Sequence, residues 1–162
     1  MINNQCLEKD NLRFRVIGEI DELNSWLGLV RAFTEDRKLA KILQIRQTDL
    51  FLIGAELAGT KKGKRISLKE IRRLEKEIDQ WHKGLPRLKN FVFPSGVRSA
   101  ALLHLSRTVC RRAEQNLVSL DQEEKMNKKI LAYFNRLSDW LFVLARKVNQ
   151  EKGVKEEEWK RC

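Results

Sequence analysis

Three side chains on one strip of a helix are the first candidates for chemistry in this sequence. Residues Phe91 to Val118 read FVFPSGVRSAALLHLSRTVCRRAEQNLV, a Pro-Ser-Gly turn feeding one long helical pattern. At about 100° per residue, Arg107, Arg111 and Glu114 fall within roughly 60° of one another. Two guanidiniums converging on one strip suit a polyanion, because their forked donors match phosphate oxygens. A solvated, ion-paired helix face uses the same residue types, and the strip alone does not choose between the two.

Other polar groups raise the same question. Asp21, in GEIDELNSWLG, sits beside an apolar stripe as either a cation's partner or an ordinary surface acid, and the local pattern favours the surface. Asn135, Ser138 and Asp139 interrupt the apolar run NRLSDWLF. Such groups must find hydrogen bonds or stay in water, and a buried structural network is a commoner outcome than ligand contact. Metal chemistry has little support. His82 and His104 are the only 2 histidines, too few for the paired Glu-x-x-His motifs of a di-iron bundle. Asp79 with His82 is a lone i, i+3 pair that reads as surface. Cys110 adjoins Arg111, which could lower its pKa, but a place on a packed helix favours a buried, inert thiol. Neither a Ser-His-Asp nor a Cys-His set is assembled, and there is no Walker loop or Gly-x-Gly-x-x-Gly.

The elements that must position these groups are helices. A chain of 162 residues with 2 prolines, 8 glycines and 34% charged residues reads as a single all-α domain over 1–162. Ile17, Ile20, Leu23, Leu27, Val30 and Phe33 form a 3.6-period stripe over about Arg15 to Phe33. A second helix spans about Asp36 to Ala58, and the basic loop GTKKGKR follows it. Ser67 and Glu70 make a capping box for a third, whose face is Ile71, Leu74, Ile78 and Trp81. The fourth spans about Gly96 to Ser119. The fifth, about Glu124 to Glu151, has apolar residues spread widely around its axis and reads as the central helix, closed by Gly153. Residues 1–14 and the charged tail 150–162 are expected to be flexible.

Composition excludes some classes and leaves others. No stretch approaches the apolar length of a membrane span, and no signal peptide opens the sequence. Cys6, Cys110 and Cys162 have neither disulfide-framework nor zinc spacing, which suits a reducing cytoplasm. The formal net charge of +11 fits an anionic ligand, a nucleic acid or only a lysine-rich surface. No helix-turn-helix, RNA-recognition or zinc-finger signature accompanies it, so nucleic-acid binding rests on charge alone.

Four segments, GEIDELNSWLG, FVFPSG, RTVCRRAE and NRLSDWLFVLAR, together resemble the PduO-type ATP:cob(I)alamin adenosyltransferases in order and approximate spacing. DLFLIGAELA in the second helix fits as well, and the resemblance runs from roughly Lys9 to Asn149. It turns Arg107, Arg111 and Asn135 from a solvated or structural face toward a binding site. The resemblance implies a ferritin-like, up-down five-helix bundle that assembles into a homotrimer with active sites between subunits. The implied reaction moves the 5′-deoxyadenosyl group of ATP to the cobalt of a reduced corrinoid, cob(I)alamin, and releases triphosphate, with Mg²⁺ beside the arginines.

Residue by residue, the resemblance implies that Arg111, Arg112 and Glu114 belong to the ATP-binding stretch and that Asn135 is a further nucleotide contact. Lys9, in EKDNLRF, aligns with a lysine used on ATP. Asp21 and Arg107 correspond to a salt bridge that shapes the subunit interface and the catalytic site, so Asp21, Arg107 and Arg111 form the implied catalytic group. Phe91 matches an aromatic that flanks the corrin and helps exclude a lower cobalt ligand. No protein metal ligand is implied.

Departures from the family pattern are visible too. The sequence opens at MINNQCLEKD, without the Thr-Lys-Thr-Gly-Asp-type segment that wraps the ATP phosphates in the family. Ser95 stands where glycine is usual, and Gln115 where a further arginine is common. A non-catalytic corrinoid- or nucleotide-binding trimer is therefore the alternative to a transferase.

Overall fold

The computed structural model describes residues 12–60 and 63–160. Five helices follow one another: α1 (Leu12–Phe33), α2 (Arg37–Leu57), α3 (Leu68–His82), α4 (Arg98–Glu123) and α5 (Lys128–Glu151). This is the all-α five-helix architecture expected from periodicity. None of the described helices is long and apolar enough to cross a membrane.

Local chemistry sets the boundaries. Asp36 caps α2 by accepting the Lys38 amide at 2.7 Å, and Ser67 with Glu70 closes the expected capping box on α3. The fifth helix begins at Lys128 rather than near Glu124, because Asn127 is its N-cap, accepting the Lys129 amide at 3.1 Å. Glu124 instead ends α4 in extended conformation. Gly153, at φ +68°, closes α5 as expected. Val154 N–H donates to the Asn149 carbonyl at 2.9 Å and Gly153 N–H to that of Gln150 at 3.0 Å, which is a Schellman closure.

Successive helices run antiparallel. Arg13 at the start of α1 meets Glu124 at the end of α4, and further along Arg112 meets Glu22. The Gln47 side chain of α2 donates to the Asn24 carbonyl of α1 at 3.0 Å. Helix α5 packs on α4 and α3, and α1 on α2 and α4. Buried side chains surround α5, from Ile130, Tyr133 and Phe134 through Trp140 and Leu141 to Val148, so it is the central helix, as its apolar spread implies.

One polar cluster lies inside this core. Arg46 of α2 is fully buried and contacts Asp49 at 3.1 Å and Glu77 at 3.5 Å. Tyr133 donates to Asp49 at 3.0 Å, Trp140 donates to Glu77 at 2.6 Å, and the Arg46 guanidinium lies 5.5 Å from the Trp140 ring centre. Burial raises the Asp49 carboxyl above its ordinary range, against the lowering pull of Arg46 and Tyr133. The network ties α2, α3 and α5 together.

The segment after Gly153, expected from sequence to be a flexible tail, makes defined contacts as far as Trp159. Glu156 holds the buried Arg146 guanidinium at 2.8 Å. Beyond it the chain runs antiparallel to the loop before α4: Phe93 N–H donates to the Glu157 carbonyl at 2.9 Å, and Trp159 N–H to that of Phe91 at 2.7 Å. The charge that makes this tail look solvated is partly spent on a buried cation. The other expected flexible stretch, 1–14, lies outside the described residues except for Leu12, Arg13 and Phe14, which are helical.

Candidate active site

Helix α4 delivers two guanidiniums to one place. Arg107 and Arg111, one turn apart, both line a cleft of about 760 Å³ between α4, α5 and the loop before α4. Arg107 is half-buried, with its guanidinium 6.0 Å from the ring centre of Phe142 on α5, and its Nε is buried without a partner. Burial and then the neighbouring Arg111 charge pull its pKa below the ordinary arginine value. No ion pair reaches Arg107 or Arg111 among the described residues. Of the carboxylates around them, Glu19 and Glu22 are held by Arg112, Asp139 by Arg136 and Glu156 by Arg146, while Glu114 on the same strip is met by the Asn135 amide. Two close cations without counterions form a seat for an anion.

The opposite rim is aromatic. Phe91, 80% exposed, and Trp159, 46% exposed, line the same cleft from the loop and the tail that pair with each other. Phe142 lies between three groups: besides Arg107, the Arg146 guanidinium stands 5.9 Å and the His104 ring 6.0 Å from its centre. His104 is buried and its pKa falls to about 4, through burial first and then the Arg107 charge, with Glu156 opposing. It is therefore a neutral packing partner near neutral pH.

One turn beyond Arg111, Asn135 of α5 donates to Glu114 of α4 at 3.0 Å. The two residues flank the cationic pair on the side away from the aromatic rim. Arg112 points elsewhere, since adjacent helical residues diverge by about 100°. It meets Glu22 and Glu19 on α1. Asp21 is exposed on α1 and forms no ion pair with Arg107 within the chain. Lys9 lies outside the described residues. Cys110 is the buried thiol that its packed position favours: burial pushes its pKa up, and its Sγ faces the Phe134 carbonyl at 3.6 Å.

The structure thus gathers Phe91, Arg107 and Arg111 on one cleft, with Glu114 and Asn135 joined beside it. Ser138 and Asp139 also line the cleft. Sequence reasoning missed Phe142 and Trp159. Phe142 carried a usable signal, lying one helical turn after Ser138 on the same face. Trp159 carried only its isolation as an aromatic in a charged tail.

Comparison with known proteins identifies the family. The pattern of one family, described as "Cobalamin adenosyltransferase", matches residues 1–148. A corrinoid adenosyltransferase of Bacillus subtilis is 40% identical over 161 residues, covering 95% of this chain and 83% of its own. A cobalamin adenosyltransferase of Cupriavidus metallidurans is 42% identical over 156 residues, covering 94% and 83%. Among solved structures, a variant PduO-type ATP:corrinoid adenosyltransferase from Lactobacillus reuteri, complexed with cobalamin and ATP, superposes with a TM-score of 0.93 at 33% identity. That match covers 99% of this chain and 90% of the other. A bundle of this topology, with its cationic strip and its sequence relatives over nearly the full length, makes the chain a member of the cobalamin adenosyltransferase family.

Proposed function

We propose that this protein is an ATP:corrinoid adenosyltransferase, joining the 5′ carbon of ATP to the cobalt(I) of a reduced corrinoid. The observation that carries the proposal is the single cleft with Arg107 and Arg111, lacking carboxylate partners, on one side and Phe91 with Trp159 on the other. One wall suits a polyphosphate and the other suits the face of a large apolar macrocycle.

The chemistry asks little of protein nucleophiles. Cobalt(I) supplies the electron pair, a Co–C5′ bond forms, the C5′–O5′ bond breaks, and triphosphate departs with its negative charge. The protein aligns the two reactants and stabilises charge on the leaving group. Positioning can contribute several kcal/mol, and fixed cations at developing charge about as much again. Arg111 stands where that charge would be met, Arg107 shapes the site beside it through its contact with the neighbouring copy, and Glu114 and Asn135 hold the nucleoside end. Arg112, and Lys9 beyond the described residues, complete the proposed ATP contacts. Phe91 keeps water and other lower ligands from cobalt.

Mg²⁺ fits as a companion of the phosphates. Among the described residues no group of three His, Cys, Asp or Glu side chains converges to cage a metal, and Mg²⁺ commonly keeps waters while bound through phosphates. When bound, it would neutralise phosphate charge beside the arginines. The assembly proposed is a homotrimer in which Asp21 of one copy meets Arg107 of the next. Arg107, which is half-buried and meets no carboxylate among the described residues of its own chain, and Asp21, exposed on α1, are complementary in charge for that contact.

The test is an anaerobic optical assay of cob(I)alamin with ATP and Mg²⁺, following loss of the Co(I) band and growth of adenosylcobalamin. Conversion that requires both protein and ATP is expected. ATP binding without conversion would replace this reading with that of a non-catalytic binding protein.

A further inference from the structure

We infer that Asn149, outside the cleft, is the positioning residue that sets the aromatic rim against the cleft floor. The inference rests on the reading of the cleft proposed above. Phe91 reaches the rim on the loop from Leu85 to Val97, which has no helix of its own. At its C-terminal end this loop is held by one buried amide. Asn149 Nδ2 donates to the Ser95 carbonyl at 3.0 Å, and its Oδ1 accepts the Val97 amide at 3.0 Å. The side chain thus bridges both sides of Gly96 as a neighbouring strand would.

Gly96 and Asn149 require each other. Gly96 has φ +112°, a conformation that side chains resist, and a Cβ there would overlap the Asn149 carboxamide. The second half of the rim leaves α5 at the same residue, through its backbone. The Asn149 carbonyl accepts the Val154 amide where the tail leaves α5, and that tail then pairs with Phe91 and Phe93. Both backbone segments that carry rim aromatics therefore start from this residue. Ser138 and Phe142, on the floor, stand on the same helix about three and two turns earlier. One side chain in α5 thus ties the Phe91 half of the rim to the helix that carries the floor.

The Glu114–Asn135 clasp on the proposed ATP side is 14 residues back along α5, about 21 Å at helical rise. Loss of Asn149 should therefore injure corrinoid handling and spare ATP. The experiment compares wild type, Asn149→Ala, Gly96→Ala and the double variant as full chains. It measures steady-state kinetics with each substrate varied, and calorimetric binding of ATP and of cob(II)alamin separately. Asn149→Ala is expected to lower kcat/KM for cob(I)alamin by roughly 100-fold, as a misplacement of about 1 Å does. Gly96→Ala should reproduce that loss from the other side of the contact, the double variant should lose no more than the worse single one, and ATP binding should stay within about twofold of wild type.

Should Asn149→Ala not fold, Gly96→Ala and the near-isosteric Asn149→Asp carry the same measurement. The aspartate keeps the acceptor for Val97 and sets an oxygen against the Ser95 carbonyl, so it should also lose corrinoid efficiency. Lowered thermal stability with corrinoid KM and binding unmoved would overturn the inference, as would equal losses for both substrates. A wild type that converts no cob(I)alamin would remove the functional reading itself, whereas an active wild type with indifferent variants would remove only the role of Asn149.

Discussion

Asn135 and Glu114 form a clasp between α5 and α4, 3.0 Å from Nδ2 to carboxylate, while the Asn135 Oδ1 accepts from Arg136 at 3.2 Å. The amide is thus held by a donor and an acceptor, yet it stays exposed. A polar group fixed in orientation and left open to solvent is arranged to meet something else. Asn135→Ala should raise the KM for ATP about tenfold, the scale of one hydrogen bond to a charged or polar ligand group. Folding stability should change by less than about 0.5 kcal/mol, as for exposed positions. Kinetics with ATP varied and a urea titration check both halves.

Arg107 and Arg111 are expected to act in turnover rather than in folding of the single chain, Arg111 on the leaving triphosphate and Arg107 through its proposed pairing with Asp21 of the neighbouring copy. Replacing either by alanine should lower kcat by about 10²–10³-fold, the loss seen when a donor to developing charge is removed. Arg107→Lys should recover little, because an ammonium lacks the planar fork and the stacking against Phe142. Single-turnover rates at saturating ATP make the comparison.

Asp21→Ala tests the contact between copies. Loss of the proposed partner for Arg107 should shift the sedimenting species below a trimer or slow turnover at unchanged ATP affinity. Sedimentation equilibrium with parallel activity assays decides it: an unchanged mass with full activity removes Asp21 from the site.

The buried histidine writes a pH dependence into stability. The unfolded chain protonates His104 near 6.5, whereas the native state holds its pKa at about 4. The native advantage is therefore complete above pH 6.5 and is lost as pH falls from there through 4, about 3 kcal/mol in all. Glu70 acts in a lower window. Burial would raise its pKa, but Ser67, Lys64 and backbone amides overcome that and hold it at about 2, so its contribution fades as pH falls from about 4.5 toward 2. His104→Leu should flatten the upper window and leave the lower one intact, read from urea midpoints between about pH 2 and pH 7.

Arg46 should be the costliest charged side chain to truncate. Arg46→Ala would leave Asp49 and Glu77 facing the core without their cation, a loss of about 3–5 kcal/mol. Replacing Arg46 and Asp49 together by methionine and leucine should cost much less, since no orphaned charge remains. Denaturant unfolding of the single and double variants gives the comparison.

Residues whose environment is made by near neighbours in sequence could be read from the chain. Ile20, Leu23, Leu27 and Val30 are buried because they recur at helical spacing, and Ser67 with Glu70 caps α3 because three residues separate them. Phe33 belongs to the same stripe but ends it exposed, beneath the Arg98 guanidinium at 4.9 Å. Arg107, Arg111 and Phe91 were legible because local motifs carry them. Arg46 was not: in KILQIRQTDLF it looks like any surface arginine, and Glu77 and Trp140, which make it a core residue, lie on other helices. The tail from Val154 to Trp159 has a composition that argues for solvent, and beyond Glu156 its partners are loop residues more than sixty positions earlier. Periodicity is blind to such pairings.

The pairing of Trp159 with Phe91 also orders events during synthesis. A ribosome completes Phe91 long before Trp159, and helices α1 to α4 have their local contacts available in the interval. The rim does not. Until Val154 to Trp159 emerge and lie along Phe91 to Phe93, a nascent chain carries the arginine strip without its facing wall. Nucleotide-sized anions can meet such a chain, but a macrocycle finds no closed groove to enter. On the proposed reading of the rim, competence for the larger substrate arrives late and as a unit, with the closing of α5 and its return strand.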